Sequence, residues 1–127
     1  IAREAARGIA PEHVLLAGFS QGGAIALAGG VRHAARVAGI VALSTYLPLE
    51  TATATERSVA NAAVPVFMGH GRFDPVVPLA LGAQGRDALV RLGCAVEWHS
   101  YAMAHQVCPE EIADLRAWMA ARLRPAS

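Results

Sequence analysis

The sequence predicts an α/β fold in which four parallel strands alternate with helices that cover both faces of the sheet. Four short, mostly apolar segments are separated along the chain, and helix-forming stretches follow the first, third and fourth of them. This alternation is typical of a parallel sheet. The predicted strands are residues 13–18, 37–43, 64–69 and 94–101. The first three are apolar runs that suit strands buried on both faces, whereas the mixed polarity of the fourth indicates a position at or near the sheet edge.

Three predicted helices complete the pattern. Residues 21–33 are rich in Ala and Gly, which favours a helix lying close to the sheet. Residues 79–92 end before Gly93, where a C-terminal cap belongs, and carry three leucines at helical spacing: Leu81, Leu89 and Leu92. Residues 109–124 begin with a proline and two glutamates and end with arginines, an order that suits the helix dipole. Their predicted apolar stripe comprises Ile112, Leu115 and Met119.

The size, hydrophobic content and charge of the chain indicate which class of protein it belongs to. Its 127 residues are enough for one domain, and a hydrophobic content of 54% is typical of a globular core. No apolar run reaches the roughly 20 residues that a membrane span needs. The net charge is +1 with no basic stripe, which argues against a nucleic-acid partner. We therefore expect a single globular domain over residues 1–127, with no membrane span.

The cysteines and the start of the chain bear on its location. Cys94 and Cys108 form neither a metal pattern nor a disulfide framework. We expect both to be free thiols, because neither has the exposed, cationic setting that activates a thiol. The chain opens at Ile1 with charged residues close behind and without an initiator methionine, which indicates a natural start further upstream. On these grounds we expect a cytoplasmic protein.

The strongest local signal is GFSQG at residues 18–22, between the first predicted strand and the first predicted helix. Its two glycines permit a tight turn that holds Ser20 exposed at the helix N-terminus, an arrangement called a nucleophile elbow. There the backbone N–H of Gln21 and the helix dipole can meet a developing oxyanion. The alternative interpretation is a glycine-rich turn with an ordinary serine. A nucleotide-binding loop is excluded, because no GxGxxG register fits and the chain has no lysine.

A serine hydroxyl needs a base to take its proton and a carboxylate to orient that base. With an elbow of this kind, the acid and then the histidine are expected, each after a strand. Asp74 follows the third predicted strand and His105 follows the fourth, so these two are the candidates. Asp87 and Asp114 lie in predicted helices, where solvated carboxylates are expected. The alternative for Asp74 is a turn or capping role before Pro75.

Four other histidines compete with His105 for the role of base. His70 is the strongest competitor, because it also lies at the end of a strand. It precedes Asp74 in the chain, however, and so breaks the expected order. The other three lie in predicted strands or at a helix end: His13, His99 and His33. A purely structural histidine is the alternative for His105.

Four stretches of the sequence resemble the bacterial carboxylesterases that are similar to acyl-protein thioesterases and lysophospholipases. They follow the family's order and spacing across nearly the whole chain: GFSQGG (18–23), ALSTYLP (42–48), GHGRFDPVVP (69–78) and YAMAHQVCPEE (101–111). The resemblance implies an α/β-hydrolase fold, with Ser20 as nucleophile, Asp74 as acid and His105 as base. It also implies that the Gln21 amide is an oxyanion donor, and that the chemistry needs no metal or cofactor.

By this resemblance the chain is the C-terminal part of an α/β-hydrolase domain, with the N-terminal strands missing. Family members carry those strands, and a loop with a second oxyanion donor, before the point where this chain begins. The first predicted strand would then be an apolar sheet edge with no charged or proline residue to protect it. We therefore expect a homo-oligomer or association with a missing N-terminal segment.

The resemblance also implies a substrate class, namely short- to medium-chain acyl esters, with thioesters and lysophospholipids as further candidates. The segment TYLPL (45–49) follows the second predicted strand on the same side of the sheet as Ser20 and could help to line an acyl pocket. The six candidate pocket residues are Phe19, Tyr46, Leu47, Phe73, Val76 and Val77. Each of them is equally well explained by packing within the loops. The alternative function is that of an inactive fragment acting as a structural or partner-binding module. An α/β-hydrolase of other chemistry is a further alternative, although a dehalogenase would have Asp in place of Ser20.

Overall fold

The computed structural model describes residues 14–33, 35–48 and 61–123. Within them, strands and helices alternate as the sequence predicts. The strands are β1 (Leu15–Phe19), β2 (Gly39–Leu43), β3 (Pro65–Gly71) and β4 (Ala95–Tyr101). The helices are α1 (Gln21–Arg32), which follows β1, α2 (Leu79–Arg91), which follows β3, and α3 (Pro109–Arg122), which follows β4.

The four strands form one parallel sheet in the order β1-β2-β3-β4. The predicted α/β fold class is therefore confirmed, as is the position of β4 at an edge. Because all strands run in the same direction, their carboxyl ends meet at one side of the sheet, where α/β proteins place their sites. The strand boundaries differ from the predicted ones by up to two residues. At its carboxyl end, β3 continues through His70 and Gly71 and pairs with β4 along that extension.

A first core lies between the sheet and the helices α1 and α2. It is built from side chains that point to one face of the central strands, such as Ile40 of β2 and Met68 of β3. Leu27 and Val31 of α1 and Leu89 of α2 pack against them. Each of these side chains is almost fully buried, and such burial stabilises a fold by roughly 1.5–3 kcal/mol per residue.

The opposite face of the sheet is covered by α3. Val41 and Phe67, which alternate with the residues of the first core, pack against Trp118 of this helix. The rings of Phe67 and Trp118 lie 5.9 Å apart between centroids. Leu115 and Met119 join the same cluster. Helices therefore contact both faces of the sheet, as the apolar strands predict.

Two details of the predicted helix faces are wrong. Leu81 is 44% exposed and Ile112 is 47% exposed, although both were expected in apolar stripes. In α2 the buried face is formed largely by small residues that let the helix approach the sheet: Gly82, Gly85 and Ala88 together with Leu89. In α3 the buried positions are Glu111 and Trp118, so the buried face is rotated by one residue from Ile112. The large indole of Trp118 decides that rotation, because it fills the space over Phe67 and Gly39.

Glu111 is an unusual member of the buried face of α3. Its side chain is fully buried, and neither carboxyl oxygen has a hydrogen-bond partner among the described residues. The carboxyl group lies against Gly69 of β3, where an additional Cβ atom would collide with it. Because a buried carboxylate without a partner is costly, this position bears on the stability of the strand that leads to Asp74.

Strand β1 forms the second edge of the sheet. Within the described part of the chain it pairs with β2 alone. Its residues are half-buried or exposed, in contrast to the four fully buried residues of β2. This placement agrees with the expected apolar edge. Whether the edge binds a second copy or another segment remains a prediction.

Candidate active site

Ser20 occupies a strained turn between β1 and α1. Its backbone has φ 56° and ψ −122°, a left-handed conformation that costs a residue with a side chain on the order of 1–3 kcal/mol. Backbone contacts on both sides hold it there. The Ser20 N–H donates to the Leu43 carbonyl at 2.8 Å, and the Ser20 carbonyl accepts from Ala24 N at 3.1 Å. The same carbonyl accepts the Thr45 hydroxyl at 2.6 Å.

The glycine before the nucleophile permits the tightness of this turn. A Cβ atom at Gly18 would overlap the backbone of Gly22, because α1 begins directly above the end of β1. Since Ser20 is the N-cap and Gln21 the first helical residue, the Gln21 N–H has no carbonyl partner within the helix. It is thus available to an anion at the positive end of the α1 dipole. The predicted elbow geometry is present at Ser20.

Asp74 lies in the turn that follows β3. One carboxyl oxygen, Oδ1, accepts the backbone N–H groups of Val76 and Val77, both at 2.8 Å. The other oxygen, Oδ2, accepts from Nδ1 of His105 at 2.7 Å. The side chain of Asp74 is fully buried. The Asp74 carboxylate therefore does two things: Oδ1 caps the turn, and Oδ2 orients His105. The turn role, which was the alternative interpretation of Asp74, is present together with the contact to His105.

The ionisation of Asp74 is set by opposing influences. Burial by itself would raise the pKa of this carboxyl. The hydrogen bonds from His105, Val77 and Val76 outweigh burial, so that the pKa of Asp74 lies below its ordinary value. Asp74 is consequently a carboxylate at neutral pH, as an orienting group for an imidazole has to be.

His105 connects the carboxylate to the serine. It lies in the loop between β4 and α3, and its ring is only 18% exposed. While Nδ1 contacts Asp74, Nε2 lies 3.0 Å from the Ser20 hydroxyl oxygen. Because Asp74 is an acceptor, Nδ1 carries a hydrogen and Nε2 of the neutral ring is free to accept from Ser20. The ring of Phe19 lies against the imidazole, 4.8 Å between centroids.

The competing histidines and aspartates within the described residues contact groups other than Ser20. His70 is buried and directs Nε2 to the Val77 carbonyl at 2.7 Å. His99 contacts Glu97 and lies 3.7 Å from Asp114. His33 contacts the backbone of Ala35, and His13 lies outside the described residues. Asp87 pairs with Arg86 at the surface. Asp114 is not simply solvated as expected, because it accepts the hydroxyl of Tyr101 at 2.7 Å.

Comparison with known proteins agrees with this geometry. The model of the phospholipase/carboxylesterase family matches residues 1–123. The chain belongs to this family. Its α/β-hydrolase fold is that of the family's solved structures, and the resemblance read from the four sequence stretches is confirmed.

Individual relatives show how similar the chain is to known proteins and how much of each protein it covers. Acyl-protein thioesterase 1 of Gibberella zeae is 38% identical over 98% of this chain and 54% of that protein. Acyl-protein thioesterase 1 of Mycosarcoma maydis is 43% identical over 87% of this chain and 48% of that protein. The crystal structure of Arabidopsis thaliana SOBER1 has a TM-score of 0.92 at 27% identity, covering 97% of this chain and 59% of that chain. The chain spans about half the length of the curated relatives it matches.

The six candidate pocket residues divide into two groups. Phe73 and Val76 are 68% and 63% exposed beside Asp74, and Phe19 is 39% exposed beside His105. Val77 is buried, and Leu47 packs on the core beneath α2, so packing accounts for these two. Tyr46 is half-buried. Leu49, the last residue of the segment 45–49, lies outside the described residues.

The supporting positions of three residues were not predicted from the sequence. Thr45 was expected near the acyl pocket, but it is buried and holds the Ser20 carbonyl. Val107 is 41% exposed two residues after His105, which adds an apolar side chain at this edge. His70 was considered only as a rival base, although it contacts the Asp74 turn. Their positions after strands are visible in the sequence, but their partners are not.

The remaining expectations concern thiols, metals and membranes. No disulfide joins Cys94 and Cys108, as expected. Burial raises the pKa of the Cys108 thiol, which disfavours the reactive thiolate. Residues 14–33, 35–48 and 61–123 contain no group of three His, Cys, Asp or Glu side chains arranged to hold a metal ion. None of the helices described here has the length and apolar character that crossing a membrane requires.

Proposed function

We propose that this chain carries the catalytic triad of a serine ester hydrolase that acts through an acyl-Ser20 intermediate. The observation that carries the proposal is the hydrogen-bonded series Asp74, His105 and Ser20, with contacts of 2.7 Å and 3.0 Å. Each member follows a different strand of the sheet, and they occur in the chain order Ser, Asp, His that this fold uses. Membership in the phospholipase/carboxylesterase family supports the same reaction class.

In the first half of the reaction, the Ser20 hydroxyl oxygen attacks the carbonyl carbon of the bound ester. His105 takes the hydroxyl proton at Nε2, and Asp74 holds the resulting imidazolium at Nδ1. The carbonyl oxygen becomes an oxyanion, which the Gln21 N–H and the positive end of α1 stabilise. The intermediate then collapses, the bond to the leaving group breaks, and His105 returns its proton to the departing alcohol or thiol.

In the second half, water replaces the leaving group. His105 removes a proton from this water, which attacks the acyl-Ser20 carbonyl, and a second tetrahedral intermediate forms. Its collapse releases the carboxylic acid and returns the proton to Ser20. These steps use only the residues of the triad and water, so no metal or cofactor enters the proposed mechanism.

The substrate class rests on the exposed apolar side chains around the triad and on the relatives. Phe19, Phe73 and Val76 form an apolar rim beside Asp74 and His105, which suits the hydrocarbon of an acyl chain. Two relatives are named acyl-protein thioesterase 1, which supports thioesters as substrates beside oxygen esters. We therefore propose short- to medium-chain acyl esters and thioesters, with lysophospholipids as a further candidate.

The test measures hydrolysis of the ester p-nitrophenyl acetate and the thioester acetylthiocholine by the protein expressed from its complete gene. Ser20→Ala and His105→Ala should each lower kcat by on the order of 10⁴-fold or more, because the two residues act as a unit. Ser100→Ala is the matched control, since this serine lies on β4 beside Arg72, and its kcat should be unchanged. Near-normal turnover by Ser20→Ala would contradict the proposed nucleophile.

A fluorophosphonate probe separates this proposal from the alternative of an inactive binding module. The probe should label one residue, Ser20, and labelling should disappear in Ser20→Ala while persisting in Ser100→Ala. An intact triad geometry does not favour the inactive module. A protein that binds no probe and hydrolyses neither substrate would make that module the better explanation.

We also propose that the reaction takes place in the cytoplasm. The support is that no disulfide joins Cys94 and Cys108, as is usual in a reducing compartment. Fractionation of the native cells with an antibody to the protein tests the location.

A further inference from the structure

His70 is a buried histidine that the proposed mechanism does not use. Its side chain is 1% exposed. The ring of Trp98 on β4 stacks beside it, 6.1 Å between centroids with 22° between the planes. On its other side, α2 presents Gly82, where a Cβ atom would come within 2.5 Å of Nδ1. The ring is therefore held in one orientation by its surroundings.

That orientation directs Nε2 at the backbone carbonyl of Val77, 2.7 Å away. A carbonyl oxygen can only accept, so Nε2 carries a hydrogen and donates it. Val77 is thereby held at both of its backbone polar groups, because its N–H donates to Asp74 Oδ1 at 2.8 Å. The backbone of Val77 thus connects the imidazole of His70 to the carboxylate of Asp74.

The other anchors of the turn from Asp74 to Pro78 include the buried side chain of Val77 and the Asp74 N–H, which donates to the Gly71 carbonyl at 3.3 Å. Pro75 and Pro78 have no N–H to donate, and the side chain of Val76 is 63% exposed. The carboxylate Oδ1 already takes both available N–H groups, those of Val76 and Val77. A displacement of Val77 would therefore rotate the carboxyl group and move Oδ2 away from His105. The hydrogen bond from His70 opposes this displacement.

We propose that His70 is a positioning residue for the catalytic acid, fixing the Asp74 turn through the Val77 carbonyl so that Oδ2 faces His105. This inference rests on the proposed function of the triad. His70 Nε2 also lies 3.7 Å from Asp74 Oδ2, beyond hydrogen-bond distance, so its one N–H is directed to the Val77 carbonyl. His70 itself does not touch the substrate or the reacting atoms.

The test compares two substitutions that differ in one donor. In His70→Gln the side-chain amide can place an N–H near the position of Nε2, whereas His70→Leu fills part of the space without a donor. We expect His70→Leu to lower kcat roughly 10- to 100-fold with KM little changed, because a small misplacement of the acid affects the chemical step. His70→Gln should lose less than about fivefold, the factor that loss of one neutral hydrogen bond represents, because it retains a donor for the Val77 carbonyl. Rates are expressed per active site titrated with a fluorophosphonate.

A double-mutant cycle distinguishes positioning from a general structural role. If His70 acts through the carboxylate, His70→Leu should lower kcat less than about threefold further in a protein that already carries Asp74→Asn. If the factors by which the two substitutions lower kcat multiply in the double variant, the proposal is overturned, because His70 would then act independently of Asp74. Equal losses in His70→Gln and His70→Leu would overturn it too.

A substitution on α2 tests the same contact without altering His70. Gly82→Ala should press on the imidazole and lower kcat, whereas Gly29→Ala on α1, where an added Cβ meets nothing within 4 Å, should not. The two alanine variants keep the proposal testable if His70→Leu does not fold. An unchanged kcat in Gly82→Ala would overturn the proposal. If Ser20→Ala is inactive while the His70 and Gly82 variants have normal kcat, only the role of His70 is lost. If Ser20→Ala remains active, the proposed function itself is wrong.

Discussion

The turn that carries Ser20 and the turn that carries Asp74 both follow strands at the same side of the sheet, but they are held by different means. The Ser20 turn depends on backbone: a left-handed residue, a close approach of Gly18 to Gly22, and hydrogen bonds to the Ser20 peptide groups. The Asp74 turn contains no left-handed residue. It depends on side chains, namely the Asp74 carboxylate and the His70 imidazole.

Because of this difference, we expect the two turns to respond to different perturbations. Backbone strain at Ser20 is stored locally and is released by whatever alters the packing of the turn. The Asp74 turn is held by ionisable groups, so its geometry depends on charge and on proton positions. At Asp74, a substitution that changes charge but preserves shape should therefore lower kcat. At the Ser20 turn, a substitution that changes shape should lower the free energy of unfolding.

The largest expected effect comes from changing charge alone at the Asp74 turn. In Asp74→Asn, the amide oxygen can still accept from Val76 and Val77, so we expect only a small loss of stability. The amide N–H₂ would face His105 in place of an acceptor and favour the wrong imidazole tautomer, which lowers kcat by roughly 10⁴-fold in triads of this kind. Ester hydrolysis and thermal unfolding, measured on the same samples, give the two quantities.

Asp87→Asn is the matched control for this experiment, because Asp87 lies at the surface of α2 and pairs with Arg86. Its kcat and its unfolding temperature should both be unchanged. If Asp74→Asn instead unfolds the protein, the carboxylate charge is required for the turn itself, and the contrast between the two turns would be weaker than inferred here.

Changing shape at the Ser20 turn should have the reverse outcome. A methyl group at Gly18 would overlap the backbone of Gly22, and neither backbone segment can move without displacing β1 or α1. We expect Gly18→Ala to lower the free energy of unfolding by about 3 kcal/mol, the upper range for overpacking. Loss of kcat would follow from displacement of Ser20. Urea-induced unfolding measures the first quantity and ester hydrolysis the second.

The control is Gly29→Ala, the same substitution in an open and exposed position of α1. Because alanine favours a helix more than glycine does, it should raise the free energy of unfolding by about 0.5–1 kcal/mol. Opposite signs for the two alanines are the expected result. A stable Gly18→Ala variant would mean that the turn is not as tight as the contact of Gly18 with Gly22 indicates.

The contrast between the turns also explains what could be predicted from the sequence. The Ser20 turn is encoded within five consecutive residues, so its glycines and its position between strand and helix were sufficient to identify it. Asp74 and His105 were predicted as acid and base because each follows a predicted strand in the expected order, and the structure places the two side chains in contact. The hydrogen bonds that join them span 85 and 31 positions of the chain, and only the sheet order brings such residues together.

Other features depended on tertiary packing that no local pattern records. Ile112 fits an apolar stripe in the sequence as well as Trp118 does. In the structure Trp118 is buried and Ile112 exposed, because the indole fills the space above Phe67. The extension of β3 through His70 depends on pairing with β4 rather than on hydrophobicity. The burial of Glu111 contradicts the usual exposure of glutamate near the start of a helix, because the carboxyl fits over a glycine in β3.

Glu111 offers the subtlest test of the comparison, because it places an ionisable group beneath the strand that leads to Asp74. Burial, and to a lesser extent the charge of Asp114, raise the pKa of Glu111 to about 7. In the unfolded chain the group titrates near 4.5. Below that pH the carboxyl is protonated in both states. As the pH rises from there, the unfolded chain releases its proton first, so the stability that the protonated group provides is lost progressively and is gone above the folded pKa.

The measurement is the pH dependence of urea-induced unfolding for the unsubstituted protein and for Glu111→Gln, which cannot ionise. Relative to the unsubstituted protein, the glutamine variant should gain on the order of 2 kcal/mol in free energy of unfolding between pH 5 and pH 8. Glu110→Gln removes the same charge from an exposed neighbour on the same helix and should lack this gain. Parallel curves for Glu111→Gln and the unsubstituted protein would mean that Glu111 is ionised and satisfied in the folded state. The support beneath the Asp74 turn would then be no more sensitive to pH than the backbone that holds Ser20.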